Sequence, residues 1–486
     1  MIFFTKYFKK NLTKLKSILK KLFYLAANIA TMLEEKSIKS IIDELLKNYI
    51  PSSISNPVEE ALYGVKSAFA LPKERADEYR LKAIKYTFKH HYENNKFYRN
   101  LCKEKKVSPD DIKSIEDFVK IPLLPHTFFK DYPHGREFAI WLANLMSSDL
   151  PKIIIRNKNP SFDDVIDAFQ QAGITVCYSS GTTGKFTFIP RDERTYKMGQ
   201  YAIARCAIEM LSHWYDYNSN AYLLFPNPKK TNIYVGKVTN VLYDVIKNVR
   251  VAIDRKITTE LLRISMGITF NFKERMMAKL ARVANKKMNE SMVNNIIKWI
   301  EEMEARKERI IFVGAPFILH MVMEELMGNG KTYDFGERGA VLTGGGWKVY
   351  EDRRMPVEDF RRKVEHVFGI PSQNCLDLYA MVEGNGFMVH CPEGHYLHIP
   401  TTYYHPMVLD ENGEQVDYGE EGRFAFLDAL ALSYPGFIIT GDKVKIHERC
   451  PVCDRETPVL EPEVKRIRGE EIRGCAEEMR RIIMEE

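Results

Sequence analysis

Tyr178-Ser179-Ser180-Gly181-Thr182-Thr183-Gly184-Lys185 follows the short apolar run Ile174-Thr175-Val176-Cys177. The run reads as a strand and the octapeptide as a phosphate cradle. Glycines let the backbone approach an anion closely and turn its N–H groups toward it. The hydroxyls of Ser179, Ser180, Thr182 and Thr183, with the Lys185 ammonium, add donors and charge around a triphosphate. The spacing is not that of a Walker A loop, because only two residues separate Gly181 from Gly184 and Phe186 follows Lys185. A P-loop kinase or ATPase is therefore disfavoured. Taken alone, the stretch is equally an ordinary Ser/Thr/Gly turn.

Working outward, three further strand-like runs cover residues 221–225, 310–313 and 340–343. Long helical patterns dominate 195–305, and residues 34–130 are mainly helical. This alternation predicts an α/β core with a parallel sheet. The run at 340–343 leads straight into Gly344-Gly345-Gly346-Trp347-Lys348. Asp377-Leu378-Tyr379-Ala380-Met381-Val382-Glu383-Gly384 and then Thr440-Gly441-Asp442 follow. Ligands of open α/β sheets sit beyond the C-terminal ends of strands, so these loops are expected to share one nucleotide crevice. Past residue 395, Asn412-Gly413 and Tyr418-Gly419 turns and short strands suggest a small β-rich subdomain.

In this order the motifs resemble those of adenylate-forming enzymes, the superfamily of acyl-CoA synthetases, peptide-synthetase adenylation domains and luciferases. Ser-Ser-Gly-Thr-Thr-Gly is similar to their phosphate loop, Tyr379 to Glu383 to their Tyr-Gly-x-Thr-Glu motif, and Thr440-Gly441-Asp442 to their Thr-Gly-Asp motif. Three stretches narrow the resemblance to the acyl-protein synthetases of the LuxE family. They are Leu342-Thr343-Gly344-Gly345-Gly346-Trp347-Lys348, Leu123-Leu124-Pro125-His126-Thr127-Phe128-Phe129-Lys130 and Arg468-Gly469-Glu470-Glu471-Ile472-Arg473-Gly474-Cys475-Ala476. The resemblance covers about residues 60–486.

The resemblance implies an adenylate-forming α/β domain over 56–440, with a β-rich subdomain. A basic helical extension would occupy 1–55, and a truncated C-terminal region 441–486. It implies ATP and Mg²⁺ as cofactors. Residues 179–183 and Gly184 would hold the β,γ-phosphates with Lys185 nearby. Gly344, Gly345 and Gly346 would let adenine lie on the backbone, and Tyr379 would stack on it. Glu383 would ligate Mg²⁺, and Asp442 would accept from the ribose hydroxyls. The usual Pro-Lys after the phosphate loop is Phe186-Thr187 here. Few residues follow Asp442, which argues against a standard two-step CoA ligase. The implied acyl acceptor is Cys475, whose thiolate Arg466, Arg468 and Arg473 would favour; the alternative is a buried structural cysteine. The implied partners are a fatty or other carboxylic acid and an acyl reductase resembling LuxC.

The eight cysteines do not form a disulfide pattern, and four of them crowd into the last fifth of the chain. Cys450-Pro451-Val452-Cys453 has zinc-knuckle spacing, and Cys391-Pro392-Glu393-Gly394-His395 offers a second pair. Cys391, His395, Cys450 and Cys453 would make a closed structural zinc site, with His398 able to replace His395. His390 and His405 are expected to make ordinary hydrogen bonds.

Net charge is +6, and residues 1–33 alone hold seven lysines and no acid, so the remainder is near neutral and gives no support to nucleic-acid binding. Within 1–33, Phe4, Phe8, Leu12, Leu15, Leu19, Leu22, Ala26, Ile29 and Leu33 form one helical stripe. Such a helix lies on an anionic membrane, docks a partner or packs on its own protein. No run is long enough to span a bilayer, and a cytoplasmic location is expected. The rival functions are a CoA ligase resembling phenylacetate-CoA ligases and a non-catalytic ATP-binding scaffold with a zinc module.

Overall fold

The computed structural model describes residues 38–180, 185–265, 268, 272–347 and 354–467. The amphipathic stretch 1–33, the loop residues Gly181, Thr182, Thr183 and Gly184, and Lys348, Arg468, Arg473 and Cys475 lie outside the described residues. The strands are β1 (Leu124–Pro125), β2 (Thr175–Ser180), β3 (Phe186–Arg191), β4 (Asn220–Pro226), β5 (Asn248–Ile253), β6 (Ile310–Gly314), β7 (Gly339–Gly344) and β8 (Cys375–Tyr379). They continue as β9 (Met388–His390), β10 (Leu397–His398), β11 (Tyr404–Leu409), β12 (Glu421–Asp428), β13 (Phe437–His447), β14 (Val459–Leu460) and β15 (Lys465–Arg466).

The centre is the parallel array β5-β4-β6-β7-β8. Its inner strands are apolar at successive positions because both faces are covered. Alternation then sorts the side chains. Leu223, Ile311, Val313, Ala340 and Leu342 join the larger core, with the helix Glu193–Met210 and the β-rich part. Tyr222, Leu224, Ile310, Phe312 and Val341 face a second core with Trp299, Leu319 and Val364. Three helices supply that second cover: Phe272–Ala305, Pro316–Gly328 and Val357–Phe368. Truncating a side chain such as Phe312, fully buried there, costs about 3–5 kcal/mol.

Local signals fix the helix ends. Asp192 caps Glu193–Met210 by accepting from Thr195 N–H at 2.7 Å. Ser161 and Asp164 form a capping box at Phe162–Gln171. Gly369, at φ +65°, terminates Val357–Phe368 in the left-handed conformation.

Beyond β8 the sheet turns antiparallel through β9, β10 and β14. The long strand β13 joins it to the β-rich part: its start pairs β12, and its end pairs β14. The predicted β-rich region is therefore continuous with the main sheet. Ile42 and Leu46 are fully buried in the larger core, so the chain from residue 38 packs on the main body. No helix among the described residues is long and apolar enough to cross a membrane.

Three local expectations differ from the structure. β2 and β3 form their own antiparallel hairpin rather than a strand of the main sheet, from Thr175↔Arg191 to Ser180↔Phe186. Aromatic packing of Phe186 and Phe188 against Tyr178, and of Phe188 against Phe138, gives this hairpin its own apolar contacts. Thr440-Gly441-Asp442 sits inside β13, where that strand exchanges partners, not in a loop after it. The 195–305 region also contains β5, an edge strand whose partly exposed Asn-Val-Arg-Val-Ala-Ile sequence lacks the apolar run that marks a buried strand.

Candidate functional site

β7 and β8 are parallel neighbours, with Gly344 opposite Leu378. Their C-terminal ends therefore place the glycine turn beside Tyr379. Gly345 and Gly346 have φ of +81° and +66°, which other residues adopt at a cost. Among the described residues, and apart from its chain neighbours, no atom lies within 4 Å of where a Cβ on Gly346 would be, so they leave one edge of the turn uncovered. At the root of the two strands, Thr343 donates to Asp377 Oδ1 at 2.7 Å. The Asp377 backbone N–H donates to His390 Nδ1 at 3.1 Å, so His390 serves the strand ladder as expected.

From Tyr379 the site crosses to β13. The Tyr379 hydroxyl donates to Asp442 Oδ2 at 2.6 Å, and Arg466 Nε lies 3.5 Å from Asp442 Oδ1. Arg466 reaches it because β15 pairs with β13 in the register Asp442↔Arg466. The backbone N–H of Asp442 donates to Thr440 Oγ1 at 3.1 Å, which fixes the bend. The His126 ring packs on Gly441 so closely that a Cβ there would come within 3.0 Å of two ring atoms.

Glu383 stands midway along the loop between β8 and β9 and is 7 % exposed. Burial pushes its carboxyl above the ordinary range, opposed by the nearby Lys130 charge. The loop is held from beneath by Arg191, the last residue of β3, which is 1 % exposed. Arg191 Nη2 donates to the carbonyls of Val382 at 2.6 Å and Gly384 at 3.4 Å, on either side of Glu383. The hydroxyls of Tyr434 and Tyr234 donate to the carbonyls of Glu383 and Gly384 at 3.0 and 2.8 Å. Asp428 closes the far side by accepting from Asn385 N–H at 2.6 Å, and burial raises its carboxyl to about 6. The β2–β3 hairpin thus also clamps the Glu383 loop.

Among the expected loop residues, Ser179 is half-buried in β2, Ser180 ends that strand, and Lys185 is exposed just before β3. Lys185 shares an electrostatic neighbourhood with Lys130, Glu383, Asp442 and Arg466. The structure therefore sets the Gly344–Gly346 turn beside Tyr379 and joins Tyr379 to Asp442, with Glu383 and Lys185 in electrostatic range of Lys130, which also feels Asp442. Sequence reasoning missed the parts played by Arg191, Tyr434 and Lys130. Lys130 had a signal, since it closes the quoted stretch 123–130, but no chemistry had been attached to it. Arg191 had none, being one cationic residue at the end of an apolar strand. As a chemical device, the crevice offers two carboxylates, several cations and an open glycine edge, which suits a polyanion bearing hydroxyls.

A second cluster lies away from this crevice. One potential ligand atom from each of Cys391, His398, Cys450 and Cys453 falls within 4.8 Å of all the others. Cys391 Sγ is 4.0 Å from Cys450 Sγ, and Cys453 Sγ is 3.3 Å from His398 Nε2. Tetrahedral Zn²⁺ with Zn–S of about 2.3 Å places its sulfurs at about this separation. Cys453 N–H donates to Cys450 Sγ at 3.5 Å, and Thr457 Oγ1 is 2.7 Å from His398 Nδ1, orienting the other nitrogen inward. The donor set fits a closed zinc site. The histidine in it is His398 rather than His395. His395 is turned away at φ +58°, with Nε2 2.9 Å from the Ser372 carbonyl. β10 carries His398 beside β9 and β14, whereas His395 falls in the turn before it.

The sheet and the loops at its strand ends have the fold of the adenylate-forming ligases. An open form of 2-hydroxyisobutyryl-CoA ligase, crystallised with 2-HIB-AMP and CoA, superposes with a TM-score of 0.56 at 14% identity. That match covers 84% of this chain and 79% of that one. The same ligase with R3-HIB-AMP gives 0.54 at 14% identity, over 87% and 73% of the two chains. In sequence, the model of the family described as Acyl-protein synthetase, LuxE, matches residues 275–483. A long-chain-fatty-acid–luciferin-component ligase of Aliivibrio fischeri is 23% identical over 84% of this chain and 90% of its own length. Its counterpart from Vibrio harveyi is 21% identical over 87% and 92%. Over residues 275–483 the chain is thus similar to the acyl-protein synthetases of the LuxE family, and over most of its length to fatty-acid ligases.

Proposed function

We propose that this protein activates a long-chain fatty acid with ATP and carries the acyl group as a thioester on Cys475, for delivery to an acyl reductase. The observation that carries the reading is the convergence of the Tyr379–Asp442 pair, Glu383 and the glycine edge at the ends of β7 and β8. The similarity to fatty-acid ligases along most of the chain supports the choice of substrate.

In this reading adenine lies on the Gly345-Gly346 edge against the Tyr379 ring, and Asp442 accepts from the ribose. The triphosphate runs toward the loop at 179–184 and Lys185. Glu383 would hold Mg²⁺, a hard ion suited to carboxylate oxygen, which supplies charge neutralisation when bound. A fatty acid carboxylate oxygen attacks the α-phosphorus, the bond to the bridging oxygen breaks, and pyrophosphate leaves with its electron pair. The chain contributes position and electrostatic stabilisation. The Cys475 thiolate then attacks the acyl carbonyl carbon, and AMP departs. Cys391, His398, Cys450 and Cys453 would hold a structural zinc that pins β9, β10 and β14 together.

The test is incubation with ATP, Mg²⁺ and radiolabelled long-chain fatty acid, followed by a denaturing gel of wild type and Cys475→Ser. A hydroxylamine-labile label on wild type alone is expected. Pyrophosphate release without a protein-bound label would move the acyl acceptor to CoA or a partner thiol. Silence with a panel of acids would overturn the enzymatic reading.

A further inference from the structure

Lys130 sits at the crevice for a reason that packing does not supply. β1 lies parallel to β13, with Leu124 opposite Ile438 and Pro125 opposite Ile439, and His126 N–H donates to the Ile439 carbonyl at 2.9 Å. This pairing runs beside the Thr440-Gly441-Asp442 bend, where the His126 ring covers Gly441. One short turn later, Phe128–Lys130, the chain brings Lys130 into electrostatic range of Glu383 and Asp442. Phe128 and Phe129 are buried beneath it and anchor the turn.

The lysine is half-buried, and its charge is felt by Glu383, Asp442, Arg466 and Lys185. Burial lowers its pKa from the ordinary value, so its desolvation is incompletely repaid. Its backbone N–H donates to the Thr127 carbonyl at 3.0 Å, but among the described residues its ammonium forms no hydrogen bond or salt bridge. The other lysines flanking the crevice differ: Lys185 is exposed, and Lys443 pairs with Glu421 at 2.7 Å. A desolvated cation that feels a carboxylate, Glu383, without pairing with it in a salt bridge weakens the fold, and such groups collect where charge develops during a reaction.

Its position indicates which charge. Asp442 marks the ribose end of the nucleotide and Glu383 the metal end, with Lys185 at the phosphate loop. The group between ribose and metal is the α-phosphate. We propose that Lys130 is a catalytic residue, binding the α-phosphate and the attacking carboxylate as the acyl-adenylate forms. This rests on the function proposed above. The ammonium stays protonated throughout: the carboxylate oxygen bonds to phosphorus, pyrophosphate leaves, and no proton moves. The pentavalent transition state carries more negative charge on the α-phosphoryl oxygens than bound ATP, so the lysine acts on the rate rather than on nucleotide affinity.

The experiment compares wild type, Lys130→Ala and Lys130→Arg in pyrophosphate release with ATP, Mg²⁺ and a long-chain fatty acid, with thermal melts of each. Lys130→Ala is expected to lower kcat on the order of 10²–10³-fold. Its KM for ATP should stay within about threefold and its Tm should stay level or rise. Lys130→Arg should recover at least a tenth of the wild-type rate. An alanine variant within threefold of an active wild type would overturn the role of Lys130 and leave the proposed function standing. So would a loss of rate accompanied by a fall in Tm of ten degrees. A silent wild type would overturn both.

Discussion

The Tyr379 hydroxyl and the Asp442 carboxylate meet at 2.6 Å, joining the tip of a parallel strand to the middle of the bent strand β13. Two motifs separated by more than sixty residues are thus physically joined. In the proposed function the ring's flat face would meet adenine and the Asp442 carboxylate would meet the ribose. Removing only the hydroxyl, as in Tyr379→Phe, keeps the ring but frees Asp442 to rotate. The expected result is a three- to tenfold rise in KM for ATP, from loss of about 1 kcal/mol of orientation, with kcat little changed. ATP–pyrophosphate exchange measures it. An unchanged KM would show that Asp442 is held by its backbone and Arg466 alone.

Arg191 couples the phosphate-loop hairpin to the Glu383 loop through carbonyls on both sides of the carboxylate residue. Lysine in its place keeps the charge but not the planar fork. Arg191→Lys should lose roughly 2–4 kcal/mol in urea denaturation, as one partner of a buried polar network is broken. The milder Tyr434→Phe removes the donor to the Glu383 carbonyl and costs about 1 kcal/mol. Both should raise the Mg²⁺ concentration for half-maximal pyrophosphate release. A folded Tyr434→Phe with wild-type Mg²⁺ dependence would limit this network to stability.

The strands at 221–225, 310–313 and 340–343 were legible because parallel strands covered on both faces leave unbroken apolar runs. That Tyr379, Glu383 and Asp442 lie near one another was legible because each stands in a short motif. The clamp beneath them was not. Arg191 meets Val382, Gly384 and Tyr434 across about two hundred residues, and such distances leave no local trace. The choice between His395 and His398 was likewise undecided by spacing. It depends on which histidine the β9–β10 pairing turns inward, and only the fold sets that.

His126 carries a pH signature. Burial, then Lys130, Arg466 and Arg423, lower its pKa from 6.5 to about 4. The folded protein therefore binds fewer protons than the unfolded chain between these values. The stability it contributes is present above pH 6.5 and is lost as pH falls toward 4. The full effect is roughly 2–3 kcal/mol, reduced by solvent screening of a half-buried ring. Urea denaturation of wild type and His126→Asn at pH 7.5 and pH 4.5 tests it: the variant should lose less stability on acidification. Parallel losses would assign the acid limb to other groups.

The cysteine cluster gives a prediction in which the two histidines part company. Cys391 follows β9, His398 lies in β10, and Cys450 and Cys453 occupy the turn from β13 to β14. A zinc ion there would cross-link the antiparallel end of the sheet, where β10 and β14 are each only two residues long and contribute few ladder bonds of their own. The purified protein should hold one zinc per chain by elemental analysis. Stripping it with a strong chelator should lower Tm by roughly 5–15 °C, since metal binding free energy is folding free energy in such a site. His398→Ala and Cys453→Ser should lose the metal. His395→Ala should keep it, losing only the bond to the Ser372 carbonyl. Pyrophosphate release measured on stripped but still folded protein should persist at 20 °C, because the cluster offers no open coordination position and stands apart from Glu383 and Asp442. A chain purified without zinc and unmoved by chelator would leave four reduced side chains as mere packing. Loss of metal in His395→Ala would return that residue to the ligand set.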